Sequence, residues 1–421
     1  MNSDSILRAF ASRNYRLYWG GQAVSLLGTW MQRVAMGWLV YRLTDSAFML
    51  GVVEFVSQIP AFFLAPVAGV YLDRWDRRRT LIATQVLLMV QAALIALLIF
   101  AGWIRIDHIL VLSGLFGLIN AFDQAGRQAI VKDLLLRRED LGNAIALNST
   151  MFNAGRLIGP SIAGITIALV GEGWCFLINS LSFIAIILAL LQIQTAPAPR
   201  PASVPPGLIA SMREGLSYSW RVFPIRIILL ALALFSLIGL PFTVLLPVLA
   251  RDVFHGNAAT LGFITASTGV GALYGAWYLA SRKTVTGLER VMVAAILIAG
   301  AALVLIALVQ RLYPSLIFII FAGFGLMAVY SSGNTILQTL VADDKRGRVL
   351  ALYTMTYQGM APLGSLLAGL LTRHTSAPTT LCISGGLLLV SGLYLTRYLK
   401  RMRFFIRRHR KLAEAAVESE G

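Results

Sequence analysis

Three things are scarce in this sequence: charged residues, cysteine and histidine. Asp, Glu, Lys and Arg make up 13% of the 421 residues, against about 25% in soluble domains, which excludes a soluble globular protein. The two cysteines, Cys175 and Cys382, and four histidines show neither a disulfide framework nor a metal-ligand spacing. Walker A and G-x-S-x-G patterns do not occur either, so the sequence predicts no ATP-driven transport, no enzyme activity, no cofactor and no metal site.

Long apolar runs fill the chain instead. Hydrophobic residues make up 57% of it and its mean hydropathy is +0.75. A helical membrane span needs about 20 mostly apolar residues, and a β-barrel would show short alternating segments. We therefore predict an all-α membrane protein with twelve transmembrane helices in two six-helix pseudo-symmetric bundles. The twelve runs lie near residues 18–41, 47–72, 80–103, 108–128, 143–169, 173–194, 225–249, 259–280, 289–309, 314–337, 348–371 and 378–398.

The distribution of positive charge predicts the orientation of these spans. The net charge of +17 would also suit a nucleic-acid binder, but the basic residues cluster in alternate loops. With the N-terminus inside, the cytoplasmic segments hold 29 of the 36 Lys and Arg residues, the outer segments hold five, and two lie within spans. This asymmetry follows the positive-inside rule. We expect a multi-pass protein with both termini cytoplasmic, in contact with membrane lipid, monomeric, and without a nucleic-acid partner.

The chain also repeats internally. Phe-Gly-Leu at 116–118 recurs at 324–326, and a proline-rich stretch at 195–206 separates the halves as a stiff connector. We predict four regions: an N-terminal bundle at 1–194, a cytoplasmic linker with a short amphipathic helix at 195–223, a C-terminal bundle at 224–399 and a basic tail at 400–421. Internal symmetry of this kind is typical of transporters whose substrate site lies between the repeats.

The loop after the second span carries a recognisable pattern. Gly69, Asp73, Arg74, Arg77 and Arg78 fall on Gly-x3-Asp-Arg-x2-Arg-Arg, while Tyr71 and Asp76 replace the usual Leu and Gly. The stretch resembles the cytoplasmic loop signature of the major facilitator superfamily. That resemblance implies a conformational latch in which the loop Asp pairs with a cation of span 4. Asp123 and Arg127 lie near the cytoplasmic end of that span, and we expect Asp73 to pair with Arg127. An ordinary interfacial ion pair is the alternative.

A second pattern lies in span 5. Gly155, Gly159 and Ala163 form a small-residue stripe at four-residue intervals, which permits close helix contact, and Pro160 bends the helix. With Gly164, the stretch resembles the antiporter signature g-x3-G-P-x2-G-G of proton-coupled exporters, although Ala163 replaces one glycine. The resemblance implies export.

Three ionisable side chains lie deep in the first half. Arg33 and Glu54 are predicted at about 11–14 Å depth on adjacent helices, and Arg156 enters from the other side to a similar level. An Arg33–Glu54 ion pair is geometrically open. Charges at such depth usually mark substrate or ion pathways, so we assign Arg33, Glu54, Arg156 and Gln58 to proton coupling or substrate binding. A static ion pair that fixes helix packing is the alternative.

The whole chain resembles a major facilitator transporter. The stretches WLVYRLTDSAFMLG, NAFDQAGRQA and AIALNSTMFNAGRLIGP are similar to the bacterial subfamily of enterobactin exporters and macrolide-efflux proteins. The resemblance implies proton-driven export of a siderophore-like or drug-like molecule across the bacterial inner membrane, and hence siderophore export or multidrug resistance. The net positive charge of the three deep residues mildly favours an acidic substrate. A lipid-handling transporter that moves lysophospholipid, and a non-transporting membrane sensor, remain alternatives.

Overall fold

The computed structural model describes residues 7–72, 75–194, 208–282, 284–341 and 343–405, and within these ranges the chain is helical without strands. The helices are α1 (Arg13–Thr44), α2 (Ala47–Leu72), α3 (Arg77–Phe100), α4 (Ile106–Ile130), α5 (Leu141–Val170), α6 (Glu172–Gln192), α7 (Leu208–Arg221), α8 (Phe223–Ile238), α9 (Leu246–Val248), α10 (Ala258–Ala280), α11 (Leu288–Val309), α12 (Leu312–Leu340), α13 (Asp343–His374) and α14 (Ala377–Thr396).

Helix boundaries follow local sequence signals. Ser12 caps α1, because its hydroxyl accepts a hydrogen bond from the Tyr15 amide. The Asp76 carboxylate accepts one from the Arg79 amide and so begins α3, which gives this departure from the loop signature a structural role. Gly171, at φ 91°, permits the tight turn between α5 and α6.

The apolar runs account for most of these helices. Nine stretches of the described residues are long and apolar enough to span a membrane, and the all-α membrane fold is confirmed. Three further helices of 32, 23 and 32 residues, α1, α10 and α13, lie at the predicted spans 1, 8 and 11 outside this set of nine. The count of twelve spans therefore stays a prediction.

The chain forms two compact units. The first contains the chain up to Val204 together with Leu246–Ala266, and the second contains Pro205–Leu245 and the chain from Ser267 onwards. The segment Leu246–Ala266, which we call the returning segment, thus packs with the N-terminal helices although it lies in the second half of the sequence. The domain boundaries at 194, 223 and 399 stay predictions.

In the first unit, α1 packs against α5 and α6, α2 packs against α4, and α3 packs against both α4 and α6. Its core includes Tyr15, Leu81, Ile130, Phe183 and Leu190, which are at most 2% exposed. Buried apolar area of this kind, together with close dispersion contacts, holds the helices in fixed register.

In the second unit, α11 packs against α12 and α14, and α8 packs against α13. The short helix α7 lies at the position predicted for an amphipathic helix and also contacts α13. Glu214 of α7 pairs with Lys345 and Arg348 of α13, which ties this surface helix to a longer one.

Candidate functional site

Arg33, which the sequence predicts to lie deep in span 1, is exposed and lies against an aromatic side chain of the first unit. Its guanidinium carbon is 5.2 Å from the centre of the Trp30 ring, one turn earlier on α1. The Trp30 ring meets Phe152 of α5 edge to face at 5.5 Å. Arg156 is half-buried and follows Phe152 by one turn of α5. Each member of this aromatic pair is thus followed within one helical turn by an arginine, and we call Trp30, Arg33, Phe152 and Arg156 the cationic aromatic site.

This arrangement suits a particular kind of ligand. A guanidinium over an indole face is stabilised by the ring quadrupole while its edges still donate hydrogen bonds. The indole nitrogen of Trp30 is a buried donor without a hydrogen-bond partner among the described residues. The site thus combines positive charge with aromatic surface, next to a buried donor that has no partner among the described residues.

Among the described residues, the hydrogen bonds of Glu54 lie within α2. Gln58, one turn further along, donates a hydrogen bond to its carboxylate, and Ser57 Oγ donates to the Glu54 backbone carbonyl at 2.9 Å. The sequence left an Arg33–Glu54 ion pair open, but in the described part of the structure each of the two residues contacts a partner on its own helix. The reason is local, because side chains three or four residues apart on a helix are neighbours. Glu54 is half-buried, so its side chain is partly accessible.

Sequence reasoning missed a buried amide network in the first unit, which includes Gln32, the residue before Arg33. The Asn179 amide of α6 donates to Gln32 of α1, Gln32 donates to Gln91 of α3 at 3.3 Å, and Gln91 donates to the Leu112 carbonyl of α4 at 3.2 Å. A side chain on Gly28 would collide with Asn179 at 2.6 Å. Four helices are joined by polar contacts whose partners lie far apart in sequence, so no single-segment pattern signals the network.

The antiporter-like stretch of α5 makes two close crossings. A Cβ on Gly159 would lie 2.5 Å from Trp30 Cβ, and one on Gly155 would lie 3.1 Å from Trp30 Cδ1. Further along, a Cβ on Gly164 would lie 2.8 Å from the Cα of Gly262 in the returning segment. The small residues therefore allow α5 to approach α1 and α10 at backbone distance.

Pro160 takes part in the second of these crossings. A Cβ on Gly262 would lie 2.7 Å from the Pro160 carbonyl oxygen. Because proline has no amide hydrogen, it leaves a carbonyl of the preceding turn without its usual helical partner. The close approach of two backbones occurs at this point.

The structure describes some of the residues predicted for the latch and leaves two of them outside the described ranges. Gly69 lies in α2, while Asp73 and Arg74 lie outside the described residues, so the Asp73–Arg127 pair stays a prediction. The Asp123 side chain is fully buried, with Arg127 Nε at 2.6 Å and Thr84 Oγ1 at 3.0 Å.

The other two arginines of the loop pattern, Arg77 and Arg78, bind groups at the ends of neighbouring helices. Arg77 pairs with Asp133 at 2.8 Å. Arg78 donates to the Leu190 and Leu191 carbonyls at 2.6 and 2.8 Å, which would otherwise be unsatisfied at the end of α6. Both arginines fasten the start of α3 to the ends of its neighbours.

A polar cluster at the end of α1 was also missed by the sequence reasoning. Tyr41 donates a hydrogen bond to Asp252 of the returning segment, Asp45 pairs with Arg251, and Arg251 lies over the Tyr41 ring at 5.7 Å. Arg251 and Asp252 lie in a π-helical turn, Leu249–Val253, a feature frequent at functional sites. We call Tyr41, Asp45, Arg251 and Asp252 the end cluster.

Comparison with known proteins places this geometry in a family. Residues 4–408 match the family described as transmembrane secretion effector. The chain is 27% identical to the staphyloferrin A transporter of Staphylococcus aureus, over 88% of this chain and 92% of the relative. It is 29% identical to the multidrug efflux pump Tap of Mycobacterium tuberculosis, over 80% and 82%, and 21% identical to macrolide efflux protein A of Streptococcus pyogenes, over 88% and 92%.

Solved structures support the same fold. A bacterial homologue of the iron transporter ferroportin, in an inward-facing state, superimposes with a TM-score of 0.69 at 19% identity, over 92% of this chain and 98% of that one. The relatives named above are transporters, which agrees with the predicted absence of enzyme activity. The chain belongs to the transmembrane secretion effector family of the major facilitator superfamily.

Proposed function

We propose that this protein exports an amphipathic organic anion in exchange for protons, by alternating access, across the bacterial plasma membrane with both termini cytoplasmic. The names of its relatives, which mention staphyloferrin A, macrolides and multidrug efflux, support export of a small organic molecule. The narrower substrate class and the coupling ion are our inference from the site.

The observation that carries the substrate class is the cationic aromatic site. Arg33 lies over Trp30, Trp30 meets Phe152, and Arg156 follows one turn later. Charge inside a membrane protein is costly, at least about 2.5–3.5 kcal/mol for an arginine at a span centre on insertion scales. A substrate with an acidic group and an aromatic or apolar face would offset that cost, because it supplies both an anion and a surface for stacking.

Proton coupling is assigned to Glu54, supported by its half-buried carboxylate and its contact with Gln58. A coupling carboxylate must bind a proton in one access state and release it in the other. Asp123 is fully buried and paired with Arg127, which makes it the next candidate.

The test uses the full chain in proteoliposomes with an imposed proton gradient and a lumenal pH dye. Substrates are a catecholate siderophore, a hydroxycarboxylate siderophore, a macrolide, a lipophilic cation and a lysophospholipid. We expect the siderophores to dissipate the gradient and the cation to have no effect. A response to the lysophospholipid alone would favour the lipid-handling alternative, and a response to no substrate would favour the non-transporting sensor.

Two variants separate substrate binding from coupling. Arg33→Ala should raise KM at least tenfold, because the substrate's acidic group loses a charge-assisted hydrogen bond of about 1.5–3 kcal/mol. Glu54→Gln should abolish proton movement while downhill substrate exchange continues. Arg105→Ala and Asp107→Asn are the matched controls, since these two exposed residues pair with each other. Proton movement in well-folded Glu54→Gln would refute the coupling assignment.

A further inference from the structure

The second unit contains a basic cavity that the proposed transport cycle does not use. Its volume is about 540 Å³, within the range of roughly 300–1,000 Å³ seen for small-molecule sites. It lies where α10 ends, α11 begins and the chain continues beyond α14. We call it the basic cavity, and the lining residues used below are Tyr278, Arg282, Arg290, Ala294, Phe324 and Arg403.

Three arginines give the cavity its charge. Arg282 donates to the Tyr278 hydroxyl and to the Thr286 carbonyl, each at 3.1 Å, and its Nε is buried without a hydrogen-bond partner among the described residues. Arg403 is neutralised by Glu289, whose carboxylate it reaches at 3.1 Å. Arg290 is exposed. Among the described lining residues, two positive charges therefore remain, and one of them is a guanidinium already fixed in direction by neighbouring oxygens.

The cavity continues into an apolar and aromatic wall. Phe324 lies 6.1 Å from the Tyr278 ring and 5.7 Å from the Tyr274 ring, and Tyr274 lies 5.7 Å from Trp277. Tyr274 and Trp277 are 55% and 64% exposed. Exposed Trp and Tyr beside arginines at the end of a span are typical of the headgroup level of a bilayer. A small inorganic anion would use the arginines and leave this wall without a partner.

We propose that the basic cavity binds an anionic phospholipid, with the phosphodiester on Arg282 and Arg290 and the first part of an acyl chain along Phe324. Guanidinium groups hold phosphate oxygens with paired, charge-assisted hydrogen bonds. Basic pockets between membrane helices on the cytoplasmic side are known binding places for such headgroups. The bound lipid joins the end of α10, the start of α11 and the segment that carries Arg403. This assignment is independent of the transported substrate.

The test is native mass spectrometry of the purified full chain in neutral detergent, titrated with phosphatidylglycerol, phosphatidylcholine or inorganic phosphate. We expect phosphatidylglycerol to bind at least fivefold more tightly than phosphatidylcholine. The double variant Arg282→Gln/Arg290→Gln should lose that preference. The matched control, Arg213→Gln/Arg221→Gln, removes the same charge from two other exposed arginines and should retain the preference within twofold.

A second variant guards against loss of fold. Ala294→Trp fills the basic cavity from an exposed position without changing charge, and should also weaken phosphatidylglycerol binding at least fivefold. The proposal is overturned if Ala294→Trp and the double arginine variant both bind like the parent chain. It is equally overturned if phosphatidylcholine binds as well as phosphatidylglycerol, or if millimolar phosphate competes fully, which would mark a site for free anions.

Discussion

The close crossing of α5 over α1 offers a quantitative test of the span-5 motif. In Gly159→Ala, the new methyl group would lie 2.5 Å from Trp30 Cβ and 3.3 Å from the Leu27 carbonyl oxygen. Ordinary contact begins at 3.4 Å, so the two helices must separate by about 0.9 Å, the difference between 3.4 and 2.5 Å. The blocking atom is the first carbon of the tryptophan side chain, which no rotamer change can move away.

The energetic size follows from two opposing effects. Overpacking of a tight contact costs about 1–3 kcal/mol, while alanine gains about 1 kcal/mol over glycine in a helix interior. Gly20→Ala on α1 is the matched control, because no atom lies within 4 Å of its new Cβ. Both variants gain the same helix propensity, so the difference between them isolates the contact. We expect Gly159→Ala to be less stable than Gly20→Ala by about 1–3 kcal/mol.

Equilibrium unfolding by dodecyl sulfate in mixed micelles, followed by far-ultraviolet circular dichroism, measures this difference. Gly155→Ala should lie between the two, because its nearest contacts are side-chain atoms at 3.1–3.3 Å. The free energies of unfolding of Gly159→Ala and Gly20→Ala could instead differ by less than about 0.5 kcal/mol, well under the cost of overpacking. That result would show that α1 and α5 can move apart at this point without loss of stability. The reasoning about backbone-distance packing would then be refuted.

Three further predictions concern the loop, the end cluster and the topology. Arg78→Ala should lower the free energy of unfolding by about 1–3 kcal/mol, because the Leu190 and Leu191 carbonyls lose a charged hydrogen-bond donor. Arg79→Ala, at an exposed position, should leave it unchanged. Equal unfolding curves for the two variants would contradict a stabilising role for the Arg78 hydrogen bonds. Tyr41→Phe should lower the free energy of unfolding by about 1.5–3 kcal/mol, because its hydrogen bond to the Asp252 carboxylate is lost. In an Asp252→Ala background, the same substitution should have almost no further effect in this assay. Reporter fusions after residues 200 and 411 should both indicate cytoplasm, and an outer signal at either position would refute the proposed orientation.

Much of the fold followed from patterns that belong to one segment at a time. Apolar run length located the helices, and the contact of Glu54 with Gln58 is the neighbour relation that helical spacing provides. Asp76 illustrates a partial success, because its departure from the loop signature was visible in the sequence while its capping role required the backbone geometry.

The side-chain contacts that could not be predicted from the sequence include pairs of residues that lie far apart along the chain. The sequence predicted a depth for Arg33 at which an ion pair with Glu54 was open, whereas the structure shows its guanidinium over the Trp30 ring of its own helix. The contact between Tyr41 and Asp252 joins residues separated by 211 positions. No local pattern encodes such a contact, since it depends on how whole helices pack.

The returning segment has a consequence for how the protein is made. The first unit takes its contacts at Gly164 and Tyr41 from residues between 246 and 266. During synthesis, a chain that ends in the proline-rich stretch would therefore leave those surfaces uncovered in the bilayer. The first unit reaches its final packing only after residue 266 has left the ribosome, about twenty residues before α11 begins at Leu288. A gene divided at residue 204 should yield an N-terminal fragment that proteases degrade unless the C-terminal fragment is co-expressed.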